Sequence, residues 1–482
     1  MLKQLKHKNI YLLAIVGLLS SCKIKQEVVQ NRPLLTIPQK FSTKSDVSAI
    51  DLPNIQSFFA DSTLSTLIDT ALVNNFDLQI TYQKIELARA GVRFTQGLGK
   101  PDLTGNFAIG QRKFGNYTVD GVGNYDTQFS TNLNKKQLIP DPIIPDYYLG
   151  VQSSWEIDLW GKLKSQKQSA AAKLLASESG KNLLITALVA EISSAYYELL
   201  ILDNELEILE ENIDLQQKAV DLTKILKESG QANQLAVDLL NAQLLSSKSF
   251  QIDVKQQIIE AESQINFLLG RYPQAIQRPK VAWSKVIPPK LSAGIPSRLL
   301  ENRPDIKQAE FELLATKANL FAAKAAFYPS LNLTGGVGFQ AFKALVLLNP
   351  ASLAMSTFGG LTAPLANRRQ IIADLMASKA EQKMAYTNYQ KTIVNSFTEV
   401  YTQLNMIENM NATYELKNQE VDVLKLSINT SSELFRSGRA TYLEVITAQK
   451  NALQSQIELI NIKKRQYNAV IGLYRSLGGG WR

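Results

Sequence analysis

Apolar residues recur at every seventh position through the middle of the chain. Two such sets run in parallel, offset by two residues: Leu199, Leu206, Ile213 and Val220, and Ile201, Ile208, Leu215 and Leu222. A spacing of seven keeps side chains on one flank of an α-helix, and an offset of two residues turns the second set by about 200°. A two-stranded coiled coil needs only one such flank. Two flanks therefore predict a helix with a neighbour on each side, as in a closed ring of helices.

The helical pattern continues far beyond these positions and predicts two very long helices, at 161–228 and 366–436. With a rise of about 1.5 Å per residue, each would extend about 100 Å, which is longer than a globular domain accommodates. Shorter helices are predicted at 62–98, 232–270, 303–327 and 441–476.

Four other segments alternate apolar and polar residues, as β-strands do. In the first of them Leu103, Phe107 and Ile109 alternate with Thr104 and Asn106. The predicted strands form two pairs, 101–116 with 147–160 and 329–341 with 352–365. A soluble β-sandwich needs about seven strands, so four strands in a long helical chain predict an α+β protein whose sheet has another role.

The chain contains two copies of one plan. Asn74–Leu78 matches Asn302–Ile306 at an offset of 228 residues, whereas later matches have offsets of 204 to 208. The first copy therefore carries a longer insertion between its two strands. The phrase SGQANQLAVDLLNAQ at 229–243 likewise matches SGRATYLEVITAQ at 437–449. Gly230 and Gly438 are predicted to turn each long helix into its returning partner, because glycine adopts the left-handed conformation that ends many helices.

Residues 1–21 have the pattern of a bacterial signal peptide, with basic residues followed by the apolar run Ile10–Leu19. The motif Leu19-Ser20-Ser21-Cys22 resembles the lipobox of bacterial lipoproteins, in which the cysteine becomes the lipid-bearing N-terminus. We therefore expect Cys22 to be the lipid attachment site. The alternative is an ordinary signal peptide with an incidental cysteine.

Composition excludes several classes of enzyme. His7 is the only histidine and Cys22 the only cysteine, so the processed chain has no histidine and no free thiol. Ser-His-Asp and Cys-His nucleophilic sites and most zinc sites are therefore absent, although chemistry based on carboxylates alone is not excluded. We expect no catalytic residues, no bound metal and no cofactor. The net charge of +9 is not organised into a basic stripe, so no nucleic acid is expected as a partner.

Five phrases resemble the TolC-like outer-membrane efflux family, and specifically its NodT-type lipoproteins that serve resistance-nodulation-division pumps. They are the lipobox and the segments SWEIDLWG at 154–161, ENRPDI at 301–306, AFYPSL at 326–331 and LGGGW at 477–481. The family usually has a glycine pair where this chain has Pro364–Arg369, so the strand-to-helix junction in the second copy departs from the pattern.

The resemblance implies a homotrimer in which each chain gives four strands to a twelve-stranded outer-membrane β-barrel, continuous with a twelve-helix periplasmic α-barrel. It implies a signal peptide at 1–21, an N-terminal anchor and equatorial segment at 22–61, and efflux repeats at 62–275 and 301–482, joined by an equatorial linker at 276–300. The insertion at 117–146 would be an extracellular loop, because the long loops of such barrels face outward.

The implied function is passive conduction of drugs, metals or metabolites from an inner-membrane pump and a periplasmic adaptor protein to the outside. Two alternatives remain open: the duct of a type I protein secretion system, and a non-conducting structural lipoprotein tether.

In the family, the position that matches Glu444 lines the pore constriction at the periplasmic tip, and the position three residues later, here Thr447, often carries a second acid. Asp238 is taken as the counterpart of Glu444 in the first copy. Three copies of Glu444 would form a ring of carboxylates that attracts cations. The alternative is that Glu444 only stabilises the first turn of its helix, and that Asp238 faces outward.

Overall fold

The computed structural model describes residues 36, 38, 40, 41, 58, 59, 61–279, 296–364 and 368–481. These form two compact units, each described separately below. The first unit comprises Leu87–Leu174 and Glu312–Tyr386. The second comprises Leu175–Phe311 and Thr387–Arg482, together with the described residues up to Glu86.

The predicted helices are confirmed, with one break. Residues 62–98 form two helices separated by Asn75, whose side chain accepts a hydrogen bond from the backbone N–H of Leu78 and so caps the second helix. The long helices contain 67 and 68 residues. The helices are α1 (Ser62–Asn74), α2 (Phe76–Leu98), α3 (Val119–Asp126), α4 (Lys162–Glu228), α5 (Gln234–Leu268), α6 (Leu299–Asn302), α7 (Pro304–Ala325), α8 (Arg369–Arg436) and α9 (Tyr442–Ser476).

The four predicted strands form one antiparallel sheet in the first unit, in the order β1-β2-β3-β4. Their bounds are β1 (Asp102–Arg112), β2 (Ile144–Ile157), β3 (Ser330–Ala341) and β4 (Leu353–Thr362). Sequential strands are neighbours throughout, so each copy of the repeat supplies one β-hairpin and the two hairpins lie side by side.

The first strand is shorter than its predicted range of 101–116. It ends at Arg112 because the following residues begin the insertion, which has structure of its own. The Thr118 side chain accepts a hydrogen bond from the backbone N–H of Gly121 and caps α3, and a short 3₁₀ helix follows at Thr127–Phe129.

The main hydrophobic core of the second unit is aromatic. Tyr197 stacks on Tyr467 with ring centroids 4.4 Å apart, and Tyr474 stacks on Phe58 at 4.3 Å. The Tyr197–Tyr467 pair brings α4 and α9 together, and Phe58 adds the segment before α1. Aliphatic side chains, mainly from α1, α2, α4, α5 and α9, complete the cluster. Stacked aromatic pairs add about 0.5–1.5 kcal/mol each beyond the area that they bury.

The first seven-residue set on α4 packs against neighbours within the chain, and so do Ile201 and Ile208 of the second set, whereas Leu215 is exposed. Leu206 lies against the cluster of Leu202, Leu209, Val254 and Leu453, and Ile208 contacts both that cluster and the aromatic core. Helix α4 also contains the one described segment whose length and composition would allow a membrane span. Most of that segment is buried inside the protein, as expected for a core helix.

The helical hairpins are duplicated in register. Helices α5 and α9 each contain 35 residues, and both their first and their last residues are related by an offset of 208. This common offset identifies equivalent positions in the two copies.

Candidate pore-forming surfaces

The two faces of the sheet differ sharply in polarity. Residues with odd numbers form an apolar face: Phe107, Leu149, Phe339 and Leu353 lie in one row across all four strands. Val151, Val337 and Met355 form the next row on β2, β3 and β4. Large apolar side chains on this face, such as Phe107 and Met355, are exposed in the single chain. Such a surface requires an apolar covering, which a lipid bilayer provides.

Residues with even numbers form a mainly polar face, with Phe358 as an exposed apolar exception. Asn106, Gln152, Thr334 and Ser356 lie on it, and the Asn106 Nδ2 donates a hydrogen bond to Gln152 Oε1 at 3.1 Å. One apolar and one polar face are typical of transmembrane β-barrels, whose outer surface contacts lipid and whose interior contains water.

The outer strands of this sheet are unpaired on one side. Within the described residues, β1 pairs only with β2, and β4 only with β3. An open strand edge leaves backbone N–H and C=O groups without partners, which the hydrocarbon region of a membrane does not tolerate. The sheet therefore needs strands from other chains.

Aromatic side chains fix the ends of the strands that lead to the helices. The Trp155 Nε1 donates to the carbonyl of Gly99 at 3.1 Å, and the Trp160 Nε1 donates to the carbonyl of Pro329 at 2.7 Å. Trp160 also stacks on Tyr328, with ring centroids 4.9 Å apart. Tryptophan and tyrosine favour the boundary between membrane and water, because each has an apolar body and a polar tip.

Gly230 and Gly438 lie in the predicted turns and adopt φ values of +77° and +71°. Both close the same Schellman motif: the N–H of Gln231 bonds to the carbonyl of Leu226, and the N–H of Arg439 to that of Leu434. No neighbouring atom would obstruct a side chain at either glycine. The positive φ alone therefore explains the residue type.

Glu444 is the third residue of α9 and forms a capping box with Thr441. The Thr441 backbone N–H donates to Glu444 Oε2 at 2.8 Å, and the Thr441 hydroxyl donates to the same oxygen. The bonds from Thr441 hold the pKa of Glu444 below its usual value. The capping role considered from the sequence is thus present in the single chain, and it leaves a charged, exposed carboxylate.

Asp238 is not equivalent to Glu444, so the pairing made from the sequence is wrong. The capped starts of α5 and α9 are related by an offset of 208, so Ala236 occupies the position in the first copy that is equivalent to Glu444 in the second. Asp238 lies two residues deeper in α5 and accepts a hydrogen bond from Gln234 Nε2 at 2.7 Å. Matching the final Ala-Gln of the two phrases, 242–243 with 448–449, gives an offset of 206 and so shifts the pairing by two residues. Thr447 is exposed on α9, whereas Cys22 lies outside the described residues.

Two arginines that bond to carboxylates, the partly buried Arg278 and the buried Arg303, were not predicted. The Arg278 guanidinium bonds to both carboxylate oxygens of Asp203, at 2.5 and 2.8 Å, and to Glu262 Oε1 at 2.6 Å. It thereby fastens the start of the 276–300 segment to α4 and α5. Arg303, within the phrase ENRPDI, bonds to Asp305, Glu399 and the carbonyl of Ser476. The one feature of the sequence that could have pointed to the role of Arg303 was its position, as a cation, within the family-like phrase ENRPDI.

The described residues contain no group of three or more His, Cys, Asp or Glu side chains that could hold a metal ion. The features with functional character are therefore the two-faced open sheet and the hairpin turns near Glu444.

Comparisons with known proteins agree with this geometry. The model of the outer membrane efflux protein family matches residues 67–271 and 295–479. The cation efflux system protein CusC of Escherichia coli K12 is 28% identical over 471 residues, which cover 96% of this chain and 97% of CusC. The probable outer membrane lipoprotein SilC of Salmonella typhimurium is 26% identical and covers 93% of the chain and 94% of SilC.

Solved structures show the same fold. A crystal structure of CusC, 26% identical, superposes with a TM-score of 0.81 over 94% of this chain and 99% of that one. The outer-membrane channel OprN, 23% identical, also gives 0.81 over 95% and 99%. The family match spans both halves of the chain, and the chain has the TolC-like α+β architecture and the two-faced sheet. The chain therefore belongs to the outer membrane efflux protein family and acts in the outer membrane.

Proposed function

We propose that three copies of this chain form a closed duct that passively conducts solutes out of the cell as the exit of a tripartite efflux system. The observation that carries the proposal is the four-stranded sheet with two open edges, one apolar face and one polar face. Closed membrane barrels need at least about eight strands. Three copies supply twelve strands, with β1 of one chain pairing with β4 of the next.

Exposed apolar residues on the helices support the same assembly. On α5, Leu245, Ile252 and Ile259 repeat every seven residues and are 57%, 67% and 56% exposed in the single chain. On α8, Leu416 and Val423 show the same spacing and are exposed as well. These two stripes have no covering within the described chain, and helices of neighbouring copies would bury them.

The partners of the duct would be a periplasmic adaptor protein and an inner-membrane pump of the resistance-nodulation-division class. Relatives are named for the efflux of cations, of solvents and of pyoverdine. Such different cargo on one architecture supports a duct that conducts passively, with the substrate selected mainly by the pump. We assign no catalytic role to the chain.

At the periplasmic tip, three Glu444 carboxylates would form the constriction, with Thr447 one turn further along α9. Asp238 has a weaker claim, because it is not the counterpart of Glu444. We further infer lipid attachment at Cys22 and efflux repeats at 62–275 and 301–482, with the described start of 276–300 held by Arg278.

Disulfide trapping across the open edges tests the assembly. Each variant of a series carries one cysteine at an odd-numbered position of β1 and one at an odd-numbered position of β4. The purified variants are then oxidised. Covalent trimers are expected from pairs in register, and planar bilayers containing the protein should show discrete conductance steps. Monomers without conductance would support the tether, and failure of all β1–β4 pairs would reject the closed barrel.

The identity of the inner-membrane partner distinguishes an efflux duct from the duct of a type I secretion system. Copurification of the chain with a resistance-nodulation-division pump after cross-linking in cells is expected. Capture of an ATP-binding transporter and its adaptor in place of that pump would favour protein secretion.

A further inference from the structure

A cavity of about 450 Å³ lies where the two β-hairpins turn, at the end of the strands away from their helical connections. The strands contribute Arg112, Asp146 and Gln340 to its wall, and the insertion between β1 and β2 contributes Phe114, Asn124 and Ile139. We refer to this region as the outer-rim cavity. Asn124 and Ile139 of the insertion therefore lie beside the end of the sheet.

Polar contacts show which face the strand residues occupy. The Arg112 Nη2 bonds to Asp146 Oδ2 at 2.7 Å, and the Gln340 Nε2 donates to Asp146 Oδ1 at 2.9 Å. All three residues have even numbers and belong to the polar face of the sheet. The insertion therefore meets the rim of the sheet where these polar residues lie, next to Pro145, Ala341 and Leu353 of the apolar face.

The insertion makes contacts within itself and one hydrogen bond to a neighbouring connection. Tyr125 and Phe129 make an edge-to-face contact with ring centroids 5.1 Å apart, and Thr118 caps α3. The Lys343 Nζ donates to the carbonyl of Lys135 at 2.7 Å and so ties the insertion to the connection between β3 and β4. That connection, 342–352, is much shorter and is the counterpart of the insertion in the second copy.

We propose that residues 113–143 form a second constriction, at the outer exit of the duct, which sets the size of solute that passes the rim. This inference rests on the proposed trimer, in which the polar face lines the pore. Three insertions would then narrow the exit from three sides. Because Arg112 and Asp146 form an ion pair there, the rim carries little net charge from these groups and restricts by size, unlike a ring of carboxylates.

Labelling of a cysteine from outside the cell tests the rim independently of the periplasmic tip. Gln152→Cys places a thiol on the polar face of β2, below the rim. Intact cells are treated with two membrane-impermeant maleimides, one of about the size of a dipeptide and one attached to a 5 kDa polyethylene glycol. We expect the small reagent to label the thiol and the large reagent to react at least tenfold more slowly.

The second copy provides the matched variant. Replacement of 113–143 by the chain's own 342–352 connection should raise the labelling rate of the large reagent at least tenfold, with little change for the small one. Equal rates for the large reagent with and without the insertion would overturn the proposal. If the swapped protein does not reach the outer membrane, Lys343→Met carries the test, because it releases the bond that ties the insertion to the connection between β3 and β4. An unchanged large-reagent rate in this variant would overturn the proposal as well.

Val151→Cys, on the apolar face, is the control that separates the two proposals. Labelling of Val151→Cys but not of Gln152→Cys, even after the swap, would show that the polar face does not line a pore. That result rejects the duct itself. Rapid labelling of Gln152→Cys by both reagents in the intact protein rejects only the rim constriction.

Discussion

Asn75 and Arg303 occupy the same place in the two copies and make the same bond. The Asn75 Nδ2 donates to the carbonyl of Leu268 at 2.9 Å, and the Arg303 Nη1 donates to that of Ser476 at 2.8 Å. Each acceptor is the last residue of a returning helix, α5 or α9. A side chain at the start of one helix thus binds the free carbonyl at the end of another, with an amide in the first copy and a guanidinium in the second.

The guanidinium makes the second copy more sensitive to substitution. Arg303 is 7% exposed at its side chain and also bonds to Asp305 and Glu399. Burial disfavours its charge, but these carboxylates outweigh that effect and raise the pKa of Arg303. Arg303→Met should lower the free energy of unfolding by about 3–5 kcal/mol, because two carboxylates lose a buried partner. Urea unfolding monitored by circular dichroism would measure the loss.

Arg298→Met is the matched control, since its exposed pair with Glu301 spans 3.8 Å. An exposed pair contributes about 0–1 kcal/mol. Equal losses for Arg298→Met and Arg303→Met would contradict the buried network as the cause.

Gly438→Ala and Gly230→Ala should each lower the stability of the helix turn by about 1–2 kcal/mol, the usual cost of a left-handed backbone with a Cβ atom. Open space surrounds both glycines, so no steric clash contributes. The measurement is thermal unfolding. Gly91→Ala, in the middle of α2 and also in open space, should leave stability unchanged or raise it by up to about 1 kcal/mol. A loss there equal to that at Gly438 would count against the positive φ as the cause.

Ile252→Asp should prevent assembly without unfolding the chain, because Ile252 is exposed in the single chain and we expect a neighbouring copy to cover it. Each chain would lose about 1.5–3 kcal/mol of apolar burial in the trimer. Native mass spectrometry in detergent reports the oligomer. The control is Gln257→Asp, because Gln257 is also exposed on α5 but lies about 140° around the helix from Ile252. By contrast, Leu206→Asp and Ile208→Asp should weaken the chain's own fold as well as the trimer, since both pack inside it. A stable trimer of Ile252→Asp would disprove the α5 contact.

Glu444→Gln should reduce cation selectivity while preserving the capping box, because glutamine can make the same bond to the Thr441 N–H. Reversal potentials in asymmetric salt would measure selectivity, and Glu444→Ala, which loses both roles, provides the comparison. Since the bonds from Thr441 depress the pKa of Glu444, its charge and its contribution to capping are present above the ordinary glutamate pKa and are lost only as pH falls below it. If cation selectivity is unchanged in Glu444→Gln, helix capping would be the only role of Glu444.

Cys22→Ala, expressed with an ordinary signal peptide, should lack lipid but still form a trimer in the outer membrane, because the barrel itself would hold it there. Mass spectrometry of the wild-type N-terminal peptide should show acylated Cys22. An unmodified thiol would remove the lipoprotein assignment. Loss of membrane insertion in Cys22→Ala would instead make the lipid essential for assembly.

The sequence was most informative where a pattern repeats. Heptad spacing located the long helices, and alternation located all four strands, because both patterns arise from one buried or lipid-facing surface. The break at Asn75 was missed because it depends on one side chain that caps α2 and also reaches the distant Leu268 carbonyl. The pairing of Asp238 with Glu444 failed for a related reason: matching letters did not reveal where each helix is capped. The bonds of Arg303 join residues that are 96 and 173 positions apart, which no local pattern encodes.

The placement of the two β-hairpins side by side has a consequence for symmetry. In a ring of three chains, six similar hairpins alternate around the wall, so the wall approximates a sixfold arrangement. Only every second hairpin carries the insertion, so the outer mouth is strictly threefold. Duplication within one chain thus separates two tasks: one hairpin keeps the wall continuous, and the other is free to diversify the opening without altering how the wall closes.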